Sequence, residues 1–173
     1  MPETVRGRDA HRQDAQKPEA QRSEECNCLA LRQAARHVTQ FYDQCLAPSG
    51  LRTTQFSILA KLRRQGPATI NALAAALVMD RTTLGRNILP LEREGLIAIT
   101  PGSLDRRSKE LHLTQAGVER LRAAIKEWAK AQARFETVYG STRSGELRGL
   151  LRAVVACTFD TASPSGAGAS GSP

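Results

Sequence analysis

The sequence predicts a mainly α fold with a small β-hairpin, and three observations predict it. Apolar residues recur every three or four positions through most of the chain, the period of a helix with one buried face. Between Leu96 and Thr114 that pattern gives way to β-branched residues and then to alternation, interrupted by the polar, turn-forming segment Pro101 to Ser108. Just ahead of this switch, two apolar-striped segments are separated by only a few residues, so two helices must meet at a tight turn.

Each element follows from local chemistry. From Cys28, residues Leu31, Ala35, Val38, Tyr42 and Cys45 mark one face of a first helix that must stop before Pro48-Ser49-Gly50. A second helix is expected over Thr54 to Arg64, with Phe56, Leu59, Ala60 and Leu62 on its apolar side and Gly66-Pro67 at its end. Thr69 opens a short helix through Leu77. Asp80 reads as the N-cap of the next helix, because its carboxylate can accept the orphan N–H of Thr82 or Thr83 and sits at the positive end of the helix dipole. That helix runs to Glu94 and stops at Gly95, a natural left-handed C-cap. Leu96–Thr100 and Lys109–Thr114 form the hairpin. A helix of about 24 residues follows, ~36 Å long, with Val118, Leu121, Ile125, Trp128, Ala131, Phe135 and Val138 at helical spacing. A last helix carries Leu147, Leu150, Leu151, Val154, Val155 and Phe159. Residues 1–23 are polar and residues 161–173 are a Gly/Ser/Ala/Pro run, so both are expected to be disordered tails.

Composition narrows the function classes. The 173 residues include 25 Lys and Arg against 17 Asp and Glu, a net charge of +8 that favours polyanionic partners. The excess is diffuse: residues 51–75 contain four basic and no acidic side chains, while residues 76–114 carry a net charge of only +1. The longest apolar run is Ala72 to Met79, too short to span a membrane, and no apolar signal segment opens the chain, so a cytoplasmic protein is expected. Cys26, Cys28, Cys45 and Cys157 are irregularly spaced and read as thiols. Glu24, Cys28, His37 and His112 are too scattered to make a metal site. There is no Gly-rich phosphate loop, nucleophile elbow or HExxH, so neither an enzyme nor a bound cofactor is expected.

Two short helices, a tight turn and a hairpin make a winged helix-turn-helix. On the helix after Asp80, Leu84, Ile88 and Leu91 share one face, while Thr82, Thr83, Arg86 and Arg93 lie away from it. With Arg81 and Asn87, this polar stripe is the candidate DNA-reading surface. Arg can donate two hydrogen bonds to guanine, and Thr reaches base edges or the thymine methyl. Pro90 interrupts the stripe's helix, at ~3 kcal/mol unless a kink relieves its clash with the Arg86 carbonyl. Such a kink would set the angle at which Arg86 enters a groove.

The segment Asp105-Arg106-Arg107-Ser108-Lys109-Glu110-Leu111-His112-Leu113-Thr114-Gln115-Ala116-Gly117 matches the pattern D-x-R-x(5)-L-T-x-x-G at every fixed position, and Gly95-Leu96-Ile97 follows a Leu-Glu-Arg-Glu helix end. In these features the chain resembles the MarR family of dimeric transcriptional regulators, over about residues 26 to 160. The resemblance implies that Arg107 enters the minor groove and that Asp105 holds the wing turn or that arginine in place; Arg106, at a position the pattern leaves free, is expected to contact phosphate. The resemblance also implies a homodimer, which would cover the apolar faces of the first, long and last helices. The expected organisation is a dimerisation helix over 24–50, a winged helix-turn-helix over 51–114 and dimerisation helices over 115–160. The expected partner is a double-stranded, pseudo-palindromic operator with half-sites ~10 bp apart or a multiple of that.

The resemblance also bears on a switch. Cys28 aligns with the sensing cysteine of the peroxide-responsive OhrR-type members, and Tyr42 with a tyrosine that supports that thiol there. The chain departs from those members at Thr53 and Arg32, where they carry further tyrosines. Cys28 and Tyr42 are ~21 Å apart along one helix and could meet only across a dimer. Arg32 and Arg36 favour a reactive thiolate, and Cys157 or Cys45 of the partner subunit could resolve its sulfenic acid. The alternative inducer is a small phenolic or carboxylate ligand in a cleft between dimer helices and winged domain. A nonspecific nucleic-acid binder or interaction module is the competing class, separable because a repressor prefers its operator ~1,000-fold or more.

Overall fold

The structure is a computed structural model that describes residues 25–102 and 108–159. The chain divides into two compact units, one ending at Ala131 and one beginning at Gln132. The first holds α1 (Asn27–Leu46), a 3-10 turn (Ala47–Ser49), α2 (Thr53–Gln65), β1 (Ala68–Thr69), α3 (Ile70–Ala76), α4 (Arg81–Arg93), β2 (Ile97–Pro101), β3 (Lys109–Leu113) and most of α5 (Gln115–Tyr139). The second holds the end of α5 and α6 (Ser141–Ala156). The fold is a winged helix-turn-helix flanked by long helices, as the periodicity predicts.

Helix ends in the first unit are set by specific caps. Cys26 precedes α1 rather than lying within it, and its Sγ accepts the Leu29 N–H at 3.5 Å. Arg52, at the start of α2, has no side-chain acceptor, and Asp43 of α1 supplies one instead: its Oδ1 accepts both the N–H and the hydroxyl of Thr53 at 2.7 Å. Thr69 accepts the Ala72 N–H at 3.2 Å to open α3. α4 continues past Pro90 to Arg93, with the Glu94 N–H donating to the Pro90 carbonyl at 3.0 Å. Pro90 lies close to the end of α4, so the helix interior loses only the bond to the Arg86 carbonyl.

α3 and α4 end in the same way. After α4, the Gly95 N–H donates to the Glu92 carbonyl and the Leu96 N–H to the Leu91 carbonyl; after α3, the Val78 N–H donates to Ala75 and the Met79 N–H to Ala74. Both are Schellman closures, which require a left-handed residue between cap and exit. Gly95 takes that conformation at φ +68°, but the corresponding residue after α3 is Val78, at φ +53°. A β-branched side chain there costs ~1–2 kcal/mol.

The sheet is antiparallel in the order β1-β3-β2, with Leu111 of β3 opposite both Ala68 and Ile99. β1 carries no signal in the sequence, because two residues are too few to show alternation. The core joins Leu46, Leu51, Ile58 and Leu59 to Leu73, Leu84, Leu91, Ile97, Leu111 and Leu121, all essentially inaccessible. Each such side chain contributes ~1.5–3 kcal/mol of burial. Phe56 of α2 stacks on Trp128 of α5 with centroids 6.1 Å apart.

The pattern Leu-Thr-x-x-Gly has a structural cause. Thr114 donates its N–H to the Leu96 carbonyl at 3.1 Å and its hydroxyl to the Gly95 carbonyl at 2.7 Å, while its oxygen accepts the Gly117 N–H at 3.0 Å and so caps α5. Gly117 lies so close to Leu96 that a Cβ would fall 2.1 Å from the Leu96 carbonyl oxygen.

In the second unit, Glu136 accepts from Gln132 at 2.8 Å and from Arg148 at 3.2 Å, joining the end of α5 to α6; these bonds hold its carboxyl below the usual range. Ser144 is buried and donates to the Gly140 carbonyl at 2.7 Å. Phe159, expected on the last helix, lies beyond its end at Ala156 and is exposed.

The glycines give opposite predictions. Gly117→Ala forces backbone apart and is expected to destabilise the fold by ~2–3 kcal/mol or more. Gly85→Ala, in α4, meets no atom within 4 Å and should stabilise by ~0.5–1 kcal/mol. Urea unfolding of the two variants checks both signs.

Candidate nucleic-acid interface

The polar stripe of α4 is where the sequence places it: Leu84, Ile88 and Leu91 are buried, and Arg81, Thr82, Thr83 and Arg86 are exposed. These residues have different tasks. Asp80 Oδ1 accepts the Thr83 N–H at 2.7 Å and Oδ2 accepts the Thr83 hydroxyl at 2.5 Å. Those two bonds, the hydroxyl's first, hold the Asp80 carboxyl below its ordinary range. The Thr83 proton is therefore committed to the cap, which leaves its methyl and the two lone pairs of its oxygen for a ligand. Asn87 donates an amide proton to the Thr83 carbonyl at 2.8 Å, so it too is partly committed to the helix. Neither Arg81 nor Arg86 joins an ion pair among the described residues, and both present their charge to solvent.

The wing residues Asp105, Arg106 and Arg107 lie outside the described residues. At the base of their loop the Gly102 N–H donates to the Ser108 carbonyl at 2.8 Å. Between α4 and the wing strands runs an open groove of about 480 Å³, lined by Leu89 and Glu92 on one side and Ile99 and Lys109 on the other. On β3, His112 Nε2 lies 3.6 Å from the Glu110 carboxylate. Among the described residues no group of His, Cys, Asp and Glu could hold a metal.

Cys28 and Tyr42 lie toward opposite ends of α1. Cys28 is exposed on the first turn of α1, whereas Tyr42, in edge contact with Phe41 at 5.3 Å, and Cys45 are half-buried near its other end. Cys157 is exposed at the C-cap of α6, its thiol donating to the Ala153 carbonyl at 3.3 Å.

A helix-turn-helix with outward cations on its second helix and a strand pair beside it defines the winged-helix class of DNA-binding proteins. Known proteins agree and narrow the class. Residues 51–109 match the MarR family. The chain is 30% identical over 129 residues to the transcriptional repressor NicR of Pseudomonas putida, covering 75% of this chain and 79% of that protein. It is 37% identical to the M. tuberculosis regulator MosR in complex with DNA, with a TM-score of 0.66 over 78% of this chain and 99% of that one. The repressor CouR bound to a 23-mer DNA duplex is 27% identical, with a TM-score of 0.70 over 80% and 99% of the two chains. The chain belongs to the MarR family: it is a DNA-binding transcriptional regulator and not an enzyme. Among the described residues no helix is long and apolar enough to cross a membrane.

The Asp80 cap has a pH signature. A carboxyl held below its unfolded value contributes stability above that value, and the contribution disappears as pH falls through the folded one. Asp80→Ala is therefore expected to lower the thermal midpoint at pH 7, with the gap to the parent closing below about pH 4, as followed by circular dichroism.

Proposed function

We propose that the chain is a cytoplasmic repressor that reads a pseudo-palindromic operator as a homodimer and releases it when Cys28 is oxidised. The observation that carries the DNA-reading part is the exposed pair Arg81 and Arg86 on the open face of α4, neither in an ion pair among the described residues. Arg81, Thr82 and Arg86 read base edges and phosphates, Thr83 offers its methyl, and Asn87 holds the local backbone. Arg107 and Arg106 extend the contact to the minor groove and flanking phosphate, and Asp105 shapes the loop that carries them.

Uncovered apolar surface supports the dimer. In the second unit Val138 is 82% exposed, Leu150 67%, Val155 64% and Phe159 75%. Uncovered apolar side chains of this size favour a self-complementary interface with a second copy. Residues 24–50 and 115–160 then serve dimerisation, and residues 51–114 serve DNA.

The exposure of Cys28 supports the switch, since an oxidant can reach its sulfur. The thiolate attacks a peroxide oxygen, breaking the O–O bond to give a sulfenic acid and releasing water or an alcohol. A second thiol, Cys45 or Cys157 of the partner subunit, then attacks that sulfur, forming a disulfide and releasing water. Tyr42 of the partner supports the thiol as a hydrogen-bond donor. Full release requires the oxidised state to favour the non-binding geometry by ~5.5 kcal/mol.

Footprinting upstream of the protein's own gene, with and without peroxide and reductant, tests the scheme. Arg86→Ala should cost ~1–3 kcal/mol of operator affinity and relax sequence preference, and Arg107→Ala should reduce the salt slope by about 1. A monomer in sedimentation at micromolar concentration refutes the dimer. Full peroxide-induced release by Cys28→Ser refutes the thiol switch.

A further inference from the structure

We propose that Val78, in the turn between α3 and α4, makes an apolar contact with the 5-methyl group of a thymine at the edge of each half-site and is a specificity-determining residue. This rests on the reading above that α4 enters the major groove. Within one helix-turn-helix the chain closes two helices with the same motif, and at Gly95 it uses the residue that adopts the left-handed conformation without penalty. At Val78 it places a β-branched side chain in that conformation and leaves it 73% exposed. Its neighbours Leu77 and Met79 pack against the core, so the fold is served on either side of Val78 while its two methyl groups face water. A strained backbone and an uncovered apolar side chain both disfavour Val78 in the free protein, and neither is needed to close α3, which glycine or asparagine would do equally well. The side chain stands two residues before the Asp80 cap, on the approach to the turn of α4 that carries Arg81 and Thr82. In the major groove the apolar feature available to a methyl-bearing side chain is the thymine methyl.

The test uses the full chain and the duplex it selects most strongly from a randomised pool, with each thymine replaced in turn by uracil, which lacks the methyl. Val78→Asn and Val78→Gly both accept the left-handed conformation, and their thermal midpoints should be unchanged or raised. The parent should lose roughly fourfold in affinity at one thymine per half-site, the value of one buried methyl-sized group. Both variants should bind the unmodified duplex roughly tenfold more weakly and show no uracil effect at that position. Parent-like affinity in both variants, or weaker binding with the parent's uracil profile retained, overturns the proposal. Arg86→Ala separates the two readings: if it weakens binding while the Val78 variants do not, only the Val78 assignment falls, and if the parent selects no duplex at all, the reading of α4 falls with it.

Discussion

The carbonyl of Leu96 is the point on which the reading head depends. It accepts the Thr114 N–H, while Gly117 of α5 sits against it too closely for any side chain. The Leu96 N–H meanwhile closes α4 on the Leu91 carbonyl. One residue thus ends α4, leads into the first wing strand and seats the first turn of the long helix. The hydroxyl of Thr114 repeats the tie one residue back, at the Gly95 carbonyl. Arg120, one turn along α5, stands 3.5 Å from both the Glu94 carboxylate and the Ser49 carbonyl. A half-exposed contact of that length adds at most ~1 kcal/mol, so the backbone junction carries the registration and the ion pair trims it.

Electrostatics at the start of α4 reflect two demands that pull against each other. A helix that meets phosphates gains from a bare positive N-terminus, yet Asp80 places a carboxylate there. That carboxylate is bound by both the N–H and the hydroxyl of Thr83, and the aligned backbone dipoles stabilise it further. On the proposed reading α4 is stabilised by a group that repels its ligand, and Arg81, the next residue, returns the positive charge to the same turn. Net charge over this segment therefore says little about DNA binding, because the acid works inside the protein and the cations work outside it.

This division explains what the sequence makes legible. Long periodic stripes are legible because core burial imposes them, and the helices α1, α2, α4 and α5 fall within one or two residues of their sequence bounds. Caps made by near neighbours, Asp80 and Thr69, are legible for the same local reason. The Asp43 cap on α2 is not, since donor and acceptor are ten residues apart and are paired only by the fold. Nor is β1, whose two residues pair with β3 through backbone alone. At the candidate interface the residue types are legible and their commitments are not: a threonine in a polar stripe looks free until its hydroxyl is seen on Asp80. The left-handed Val78 is hidden for a different reason, because only the short gap between two helices, Leu77 to Asp80 with no glycine in it, hints at strain.

Rigidity constrains how any signal can act. Between α1 and α5 the first unit is joined by buried leucines, by the Asp43 cap and by the Leu96 junction, and a packed core of this kind has discrete arrangements rather than a continuous range. A change at the exposed first turn of α1 has no soft path to the angle of α4 against the wing, because α4 is held by Leu84, Ile88 and Leu91 on one side and by Leu96 at its end. In the proposed dimer the compliant variable is the separation of two whole reading heads. Operator half-sites repeat with the DNA helix, so a shift of a few ångströms between the heads suffices to remove one of them from its groove. On this scheme the thiol state of Cys28 sets distance between two unchanged heads, and the chemistry at Arg81 and Arg86 stays the same in the bound and released proteins.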